Sequence, residues 1–407
     1  MLSLVNSLTF NSGLAHEQMY SLSVDGTGDY LETGDAFQST YRGSFSYSFW
    51  AKPADGQPSG SEVFLGSQNS SAEDNFNIAL ATDGTVVANH KANNDGASYA
   101  TNAAVYADGA GDWKHICVTV TDGDTGNSSY IIYIDGAAVA GTLSSAVAGT
   151  AHDDWTSTTT TWIGAMNNNG SIANAFAGQM DEVALFNVVL DADAVAAIYN
   201  SGKPLDLTLN RGNYDNSSAL VGYWRMFNGS FDDKVNGIVH DQTNPGFGSE
   251  LIVNGIMEVD DNWSAYGSPS AETQSQSQKY SGNSSWSFTV DATNEGIYQN
   301  LASSVVANNT YLVSFWVYPD DATTMSIEFN DATATITTGL TGLTQDDWNH
   351  VVRLFTPANS GTGQVRFTGG SATSGTWFID DVSIKKINGN PGIANADATH
   401  STDTPDD

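Results

Sequence analysis

Residues 111–141 read GDWKHICVTVTDGDTGNSSYIIYIDGAAVAG. Ile116, Val118 and Val120 alternate with other residues, as do Ile132 and Ile134, on either side of a turn rich in Asp, Gly, Thr and Asn. Alternation with a period of two marks half-buried strands, so the stretch reads as an antiparallel pair. Asp135-Gly136 then has the form of a tight hairpin turn. Residues 346–356, DDWNHVVRLFT, repeat the pattern: Trp-x-His ahead of an alternating apolar strand.

The repeat extends both ways. Upstream of each Trp-x-His lies an aromatic strand ending in Pro, FSYSFWAKP (45–53) and TYLVSFWVYP (310–319). Downstream an acidic pair opens a strand, GQMDEVALF (178–186) and TWFIDDVSIKK (376–386). The order is shared but the second spacing is about half the first, which a fixed-period solenoid does not allow. The reading is therefore all-β: two tandem antiparallel β-sandwiches of jelly-roll type, the first with long loops and the second compact. In this reading Trp50, Trp113, Trp316 and Trp348 belong to the cores, and His115 and His350 to the architecture.

Composition narrows the function. Acids outnumber bases 46 to 13, a formal net charge of −33; such a surface repels phosphate backbones, so no nucleic-acid partner is expected. A single cysteine, Cys117, excludes an intrachain disulfide framework and reads as a buried thiol. The opening MLSLVNSLTFNSG lacks a basic region and its apolar run is broken by Ser and Asn, so it does not read as a signal peptide. No segment is long enough to span a bilayer as a helix, and membrane insertion is not expected.

In chain order, residues 1–17 read as an N-terminal arm and 18–232 as the first sandwich. One short helix is expected near 191–201, capped by Asp191 or Asp193 and ended at Gly202. Residues 233–249 are polar and punctuated by Gly and Pro, hence a linker. The second sandwich spans 250–388. Residues 389–407 form an acidic tail whose composition predicts disorder unless something holds it.

YSLSVDGTGDYLE, FSYSFWAKP, DWKHICVTV with YIDG, WIGAM and GQMDEVALFNVVLDADAVAAIYNSGKP resemble a laminin-G-like domain of the concanavalin A-like lectin/glucanase superfamily. ELIVNGIMEVDDNW, YSGNSSWSF, YQNL, YLVSFWVYP and FIDDVSI resemble a family 4/9-type carbohydrate-binding module. The junction IYNSGKPLDL…NYDNSSALVGYWRM…DQTNPGFGSELIVNG is similar to virion proteins of marine tailed phages. That resemblance implies a non-enzymatic structural, decoration or adhesion protein of the virion, made in the host cytoplasm and released by lysis. It would be present in multiple copies, bound to other virion proteins through the arm and tail, and in contact with cell-surface or extracellular glycans. The alternatives are a soluble or released extracellular carbohydrate-binding protein and, less favoured, a glycoside hydrolase.

In both folds the resemblance implies a structural Ca2+ between an early loop and the acidic pair. Its candidates are Asp25, Asp29 and Asp181 in the first sandwich, and Glu258, Asp380 and Asp381 in the second, since calcium takes carboxylate and carbonyl oxygens. By strand parity with Val183 and Leu185, Asp181 is expected to point inward. For stacking on sugar rings the candidates are Trp155, in the polar run HDDWTSTTTTW, and Tyr99, Tyr106, Trp263 and Tyr266. No catalytic residue is assigned: the Glu-x-Asp-x-x-Glu strand of the superfamily's glucanases is missing, and DEVALF offers one adjacent pair on opposite faces.

Overall fold

The computed structural model describes residues 18–93, 95–122, 129–144, 154–331, 333–395 and 398–405. The arm at 1–17 and residues 123–128 of the Asp122 loop lie outside them. Two compact units are present. The first comprises the chain to Pro245 together with Gly389 onward, and the second is Gly246–Asn388. Each is all-β, as the alternation predicts.

The first unit packs two sheets. One has Phe45–Pro53 at its centre, between Lys114–Thr121 and Ala177–Phe186, with Ser21–Asp25 and Ser129–Ile134 further out. The other is built on Glu62–Gln68, Asn75–Leu80 and Val86–Ala92. Phe45, Tyr47, Phe49, Ile116, Val118 and Val120 meet Phe64, Phe76 and Ile78 in the core, all almost wholly buried. The opening hairpin forms as read, and Asp135 and Gly136 both have positive φ (50° and 78°). The opposite face of the same sheet carries a second apolar cluster. Here the helix Ala192–Tyr199 packs Val195 and Ile198 with Cys117, Ala184 and Tyr223. Asp191 caps this helix by accepting from the Ala194 N–H (2.8 Å), and Asn200, ahead of Gly202, takes the left-handed terminus (φ 48°).

The second unit packs Ala271–Ser275, Ser285–Val290, Gly375–Ile387, Tyr311–Pro319 and Asn349–Phe355 against a five-stranded sheet. That sheet runs Ser264–Tyr266, Gly296–Val305, Gly361–Thr368, Met325–Asn330, Thr335–Leu340. Between them lie Phe288, Val313, Phe315, Val317, Phe367 and Trp377.

The repeat seen in the sequence is a repeat in register. In the first unit Asp181 sits opposite Trp50 and Trp50 opposite His115 on adjacent strands. In the second Asp380, Trp316 and His350 form the same row. Both acidic pairs open a bulge with the second acid left-handed, Glu182 at φ 50° and Asp381 at φ 48°. The bulge corrects the parity reading of Asp181. It adds a residue between Met180 and Val183, which both enter the core, so Asp181 shares the outer face with Trp50.

Segments read as linker and tail are folded. Ile238–Val239 pairs with Gly392–Asn395, which also pairs with Tyr30–Glu32, and Thr399–Ser401 pairs with Ser21–Asp25. Composition predicts disorder from a shortage of apolar residues. These short strands are held instead by polar partners: the buried Trp224 indole donates to the Asn390 carbonyl (2.8 Å), Trp113 donates to Asp403 (2.8 Å), and Lys52 pairs with Asp403.

Candidate functional site

Most of the expected stacking residues are not on the surface. Trp155 is fully buried and packs against Tyr41 (5.0 Å between ring centres) and His90 (5.5 Å). Its polar neighbours misled: Thr156 bonds to the buried carboxylate of Asp74 (2.8 Å), and Arg42 donates to the Trp155 carbonyl (2.7 Å), which turns the indole inward. Tyr106 is buried with its hydroxyl on the Ala51 carbonyl (2.8 Å), and Trp263 is buried against Phe367. Tyr99 is half-buried beside Tyr130 (6.3 Å). Tyr266 is also half-buried, but on the outer face of the five-stranded sheet.

That face carries a polar and aromatic surface built from three strands in register. Alternation sends Ile297, Val365, Phe367, Ile327 and Phe329 into the core and the intervening residues outward. Register sets Tyr298, Arg366 and Glu328 in one row and Asn300, Gln364 and Asn330 in the next. Arg366 ties them together. It donates to the Tyr266 hydroxyl (3.0 Å), to Glu328 (3.2 Å) and to the Gln364 carbonyl oxygen (2.5 Å), with its guanidinium 4.4 Å from the Tyr266 ring centre. Gln364 in turn donates to Asn300 (3.0 Å). Tyr266 and Tyr298 meet edge to face, 6.4 Å apart at 77°.

Such a surface offers ring faces for an apolar C–H edge, and amides that both donate and accept for vicinal hydroxyls. Glu328 balances the charge of Arg366, so the face does not demand an anionic ligand. Tyr298, Asn300, Gln364 and Arg366 were missed in the sequence reading. Their signal is the i, i+2 alternation in IYQN and QVRF, but the row exists only once three strands are in register.

The metal candidates divide. Asp25 accepts from the Thr27 N–H (2.8 Å) and hydroxyl (2.6 Å), and Asp29 accepts from the Asp25 N–H (3.1 Å), so both close a turn. Asp25 pairs with Ala177, four residues along the strand from Asp181. At about 3.3 Å per residue this separation is too wide for one calcium ion, and the structure does not bring the three together. Glu258, Asp380 and Asp381 do converge, on one loop. Glu258 accepts from the N–H groups of Asn283 (2.7 Å) and Ser284 (3.1 Å), Asp380 from those of Tyr280 (2.9 Å) and Ser281 (3.1 Å), and Asp381 from the Ser281 hydroxyl (2.8 Å). Burial pushes the Asp380 carboxyl up to about 6 in spite of its donors, while the bonds from Asn283 hold Glu258 below its usual value. Among the described residues no group of three or more His, Cys, Asp or Glu is placed to hold a metal. A groove of about 650 Å³ beside this loop is lined by Ile252, Val253, Ile256, Val259, Glu258 and Asp381.

The chain is a tandem of two β-sandwiches, a lectin-like domain followed by a carbohydrate-binding domain. In particular, residues 25–196 match the concanavalin A-like lectin/glucanases superfamily, as a laminin-G-like member, and residues 226–375 match the carbohydrate binding domain of the 4/9 type. A comparison with curated proteins gave no match. Among solved structures, the chain is similar to TmCBM61 in complex with β-1,4-galactotriose, at 14% identity, covering 34% of this chain and 99% of that one, with a TM-score of 0.28. It is also similar to the CBM22-1 xylan-binding domain from Paenibacillus barcinonensis Xyn10C, at 14% identity, 35% and 96% coverage and a TM-score of 0.30. A third is the Ruminococcus gnavus IT-sialidase CBM40, at 16% identity, 45% and 98% coverage and a TM-score of 0.35.

Proposed function

We propose that this protein is a non-enzymatic glycan-binding component of a phage-type virion, serving in decoration or adhesion, with the outer face of the five-stranded sheet as its sugar-binding surface. The observation that carries the glycan part is the double row Tyr298–Arg366–Glu328 and Asn300–Gln364–Asn330, with Tyr266 alongside. Several copies on one particle would raise a weak sugar affinity through avidity. The virion part rests on the junction resemblance and the acidic surface. A soluble carbohydrate-binding protein is the second reading, and mass spectrometry of purified particles separates the two: absence of the chain from every virion fraction removes the first. A hydrolase would release reducing sugar; in the two rows of the five-stranded face the one carboxylate is Glu328, and it is paired with Arg366.

The direct test of the site is binding of the full chain to a panel of neutral oligosaccharides that includes xylan and β-1,4-galactan fragments. Tyr298→Ala and Arg366→Ala should each weaken binding by about tenfold or more, since a stacked ring and a multiply bonded guanidinium are each worth one to a few kcal/mol. Binding that survives both substitutions removes this face from the function. Calcium belongs to the proposal for the second unit alone, where Glu258, Asp380 and Asp381 all accept from the 280–284 loop and an ion would replace those donors.

A further inference from the structure

The Trp–His–acid row is capped by a helix in one sandwich; in the other its acid, Asp380, is buried, but its Trp and His lie beside a single exposed tyrosine. In the first unit Tyr199, at the end of the Ala192–Tyr199 helix, lies over Trp50 (5.7 Å, 29°) and His115 (6.0 Å, 29°), leaving Trp50 3% and His115 0% exposed. Among the described residues the second unit has no helix at that place. Tyr280 stacks on Trp316, 3.7 Å apart at 12°, and is itself 44% exposed, while the His350 ring lies 4.8 Å from Trp316 at 26°. His350 is exposed, and Trp316, Trp348 and Tyr318 are partly so. Trp348 stands across the edge of both neighbours, 6.0 Å and 67° from Tyr280, 5.7 Å and 61° from Tyr318. These are not the buried tryptophans that the sequence pattern predicts for Trp316 and Trp348. They form an aromatic corner on the sheet opposite the five-stranded one.

Carboxylates rim this corner. Asp320, Asp321, Asp346 and Asp347 are exposed, and the Asp346 N–H bonds to the Pro319 carbonyl (2.9 Å), which brings the two acidic loops together. Burial first, then the fields of Asp346, Asp320 and Asp347, push the Tyr318 phenol up. Asp321 accepts from the Thr376 N–H and Asp347 from the Trp348 N–H. Among the described residues no Lys or Arg pairs with any of the four.

We propose that this corner is a second binding site, separate from the five-stranded face, for a pyranose residue that carries a protonated amine. Ring faces attract both the C–H face of a pyranose and a cation, and unpaired carboxylates add to the attraction for an ammonium group while repelling uronates and sulfates. A second copy of the chain is a poor occupant, because it would bring a like-charged surface from a molecule of net charge −33. The site stands independently of the proposed sugar-binding face, and its test uses different residues.

The probe is a chitosan hexasaccharide titrated into the full chain, with its fully N-acetylated counterpart alongside, followed by tryptophan fluorescence and calorimetry. A polycation is drawn to any chain this acidic, so the deciding variants are Trp348→Ala and Tyr280→Ala, which leave the charge unchanged. Each should weaken chitosan binding by about tenfold. Asp346→Asn with Asp347→Asn should erase the preference for the amine form, and Tyr298→Ala on the other face should leave binding intact. Unchanged melting of the second unit in the aromatic variants shows that the fold survives. The proposal is overturned by absence of saturable binding, by binding indifferent to both aromatic substitutions, by equal affinity for the two oligosaccharides, or by loss of binding in Tyr298→Ala.

Discussion

Ending the chain at Asn388 removes residues that the composition reads as a tail and the structure uses as strands. The cost can be built from the contacts. Trp224 is fully buried, and its indole N–H loses its acceptor at Asn390, which costs about 1–3 kcal/mol for an orphaned donor. The buried Asp241 carboxylate loses the Asn390 N–H (3.2 Å) and keeps its donors from Tyr223 and Thr243. Ladders to Ser21–Asp25, Tyr30–Glu32 and Ile238–Val239 are lost, but the freed groups return to water, so each bond counts for about 1 kcal/mol net. The Lys52–Asp403 pair is about a third exposed and adds less than about 1 kcal/mol. The ordering entropy of the segment, which truncation recovers, offsets the ladder bonds. The orphaned Trp224 donor then sets the scale: a net loss of roughly 1–3 kcal/mol is expected, or a fall of about 2–12 °C in Tm for a unit of this size. Calorimetry with hydrogen exchange reads it: the first unit's transition falls and Ser21–Asp25 and Tyr30–Glu32 lose protection, while Gly296–Val305 keeps its own. An unmoved transition, with protection intact in both strands, would refute the docking.

The other predictions concern buried charge and metal. Arg225→Leu leaves Glu182, 3% exposed, without its 3.3 Å guanidinium partner and should cost about 3–5 kcal/mol in urea titrations; adding Glu182→Gln should restore much of it. Burial lowers the His115 imidazole to about 3. A base held below its unfolded value of about 6.5 contributes stability that is present above that value and is lost as pH falls toward 3. By pH 4 the first unit should have lost roughly 3 kcal/mol from this residue, and His115→Asn should flatten that part of the urea-midpoint profile. If calcium binds at Glu258, Asp380 and Asp381, millimolar Ca2+ raises the second unit's Tm and EGTA reverses it, because a ligand of the native state alone stabilises it. A second transition indifferent to both removes the metal from the proposal.

The sequence by itself determined the class of fold and its duplication. Period-two alternation is set by local geometry, and the recurring order of aromatic strand, Trp-x-His and acidic pair became a row in register in both sandwiches. The helix cap at Asp191 was legible for the same reason, since capping involves residues three apart in the chain. Tertiary structure decided what depends on partners distant in sequence. One added residue in each bulge reversed the parity expected for Asp181. Trp155 was drawn inward by Asp74 and Arg42, and the polar tail was ordered by Trp113, Trp224 and Lys52. The candidate sugar face joins residues from Tyr266 to Arg366, and no local pattern predicts which outward positions align across strands. Whether Trp-x-His is core or surface was decided in the same way, by a helix that covers one copy and leaves the other open.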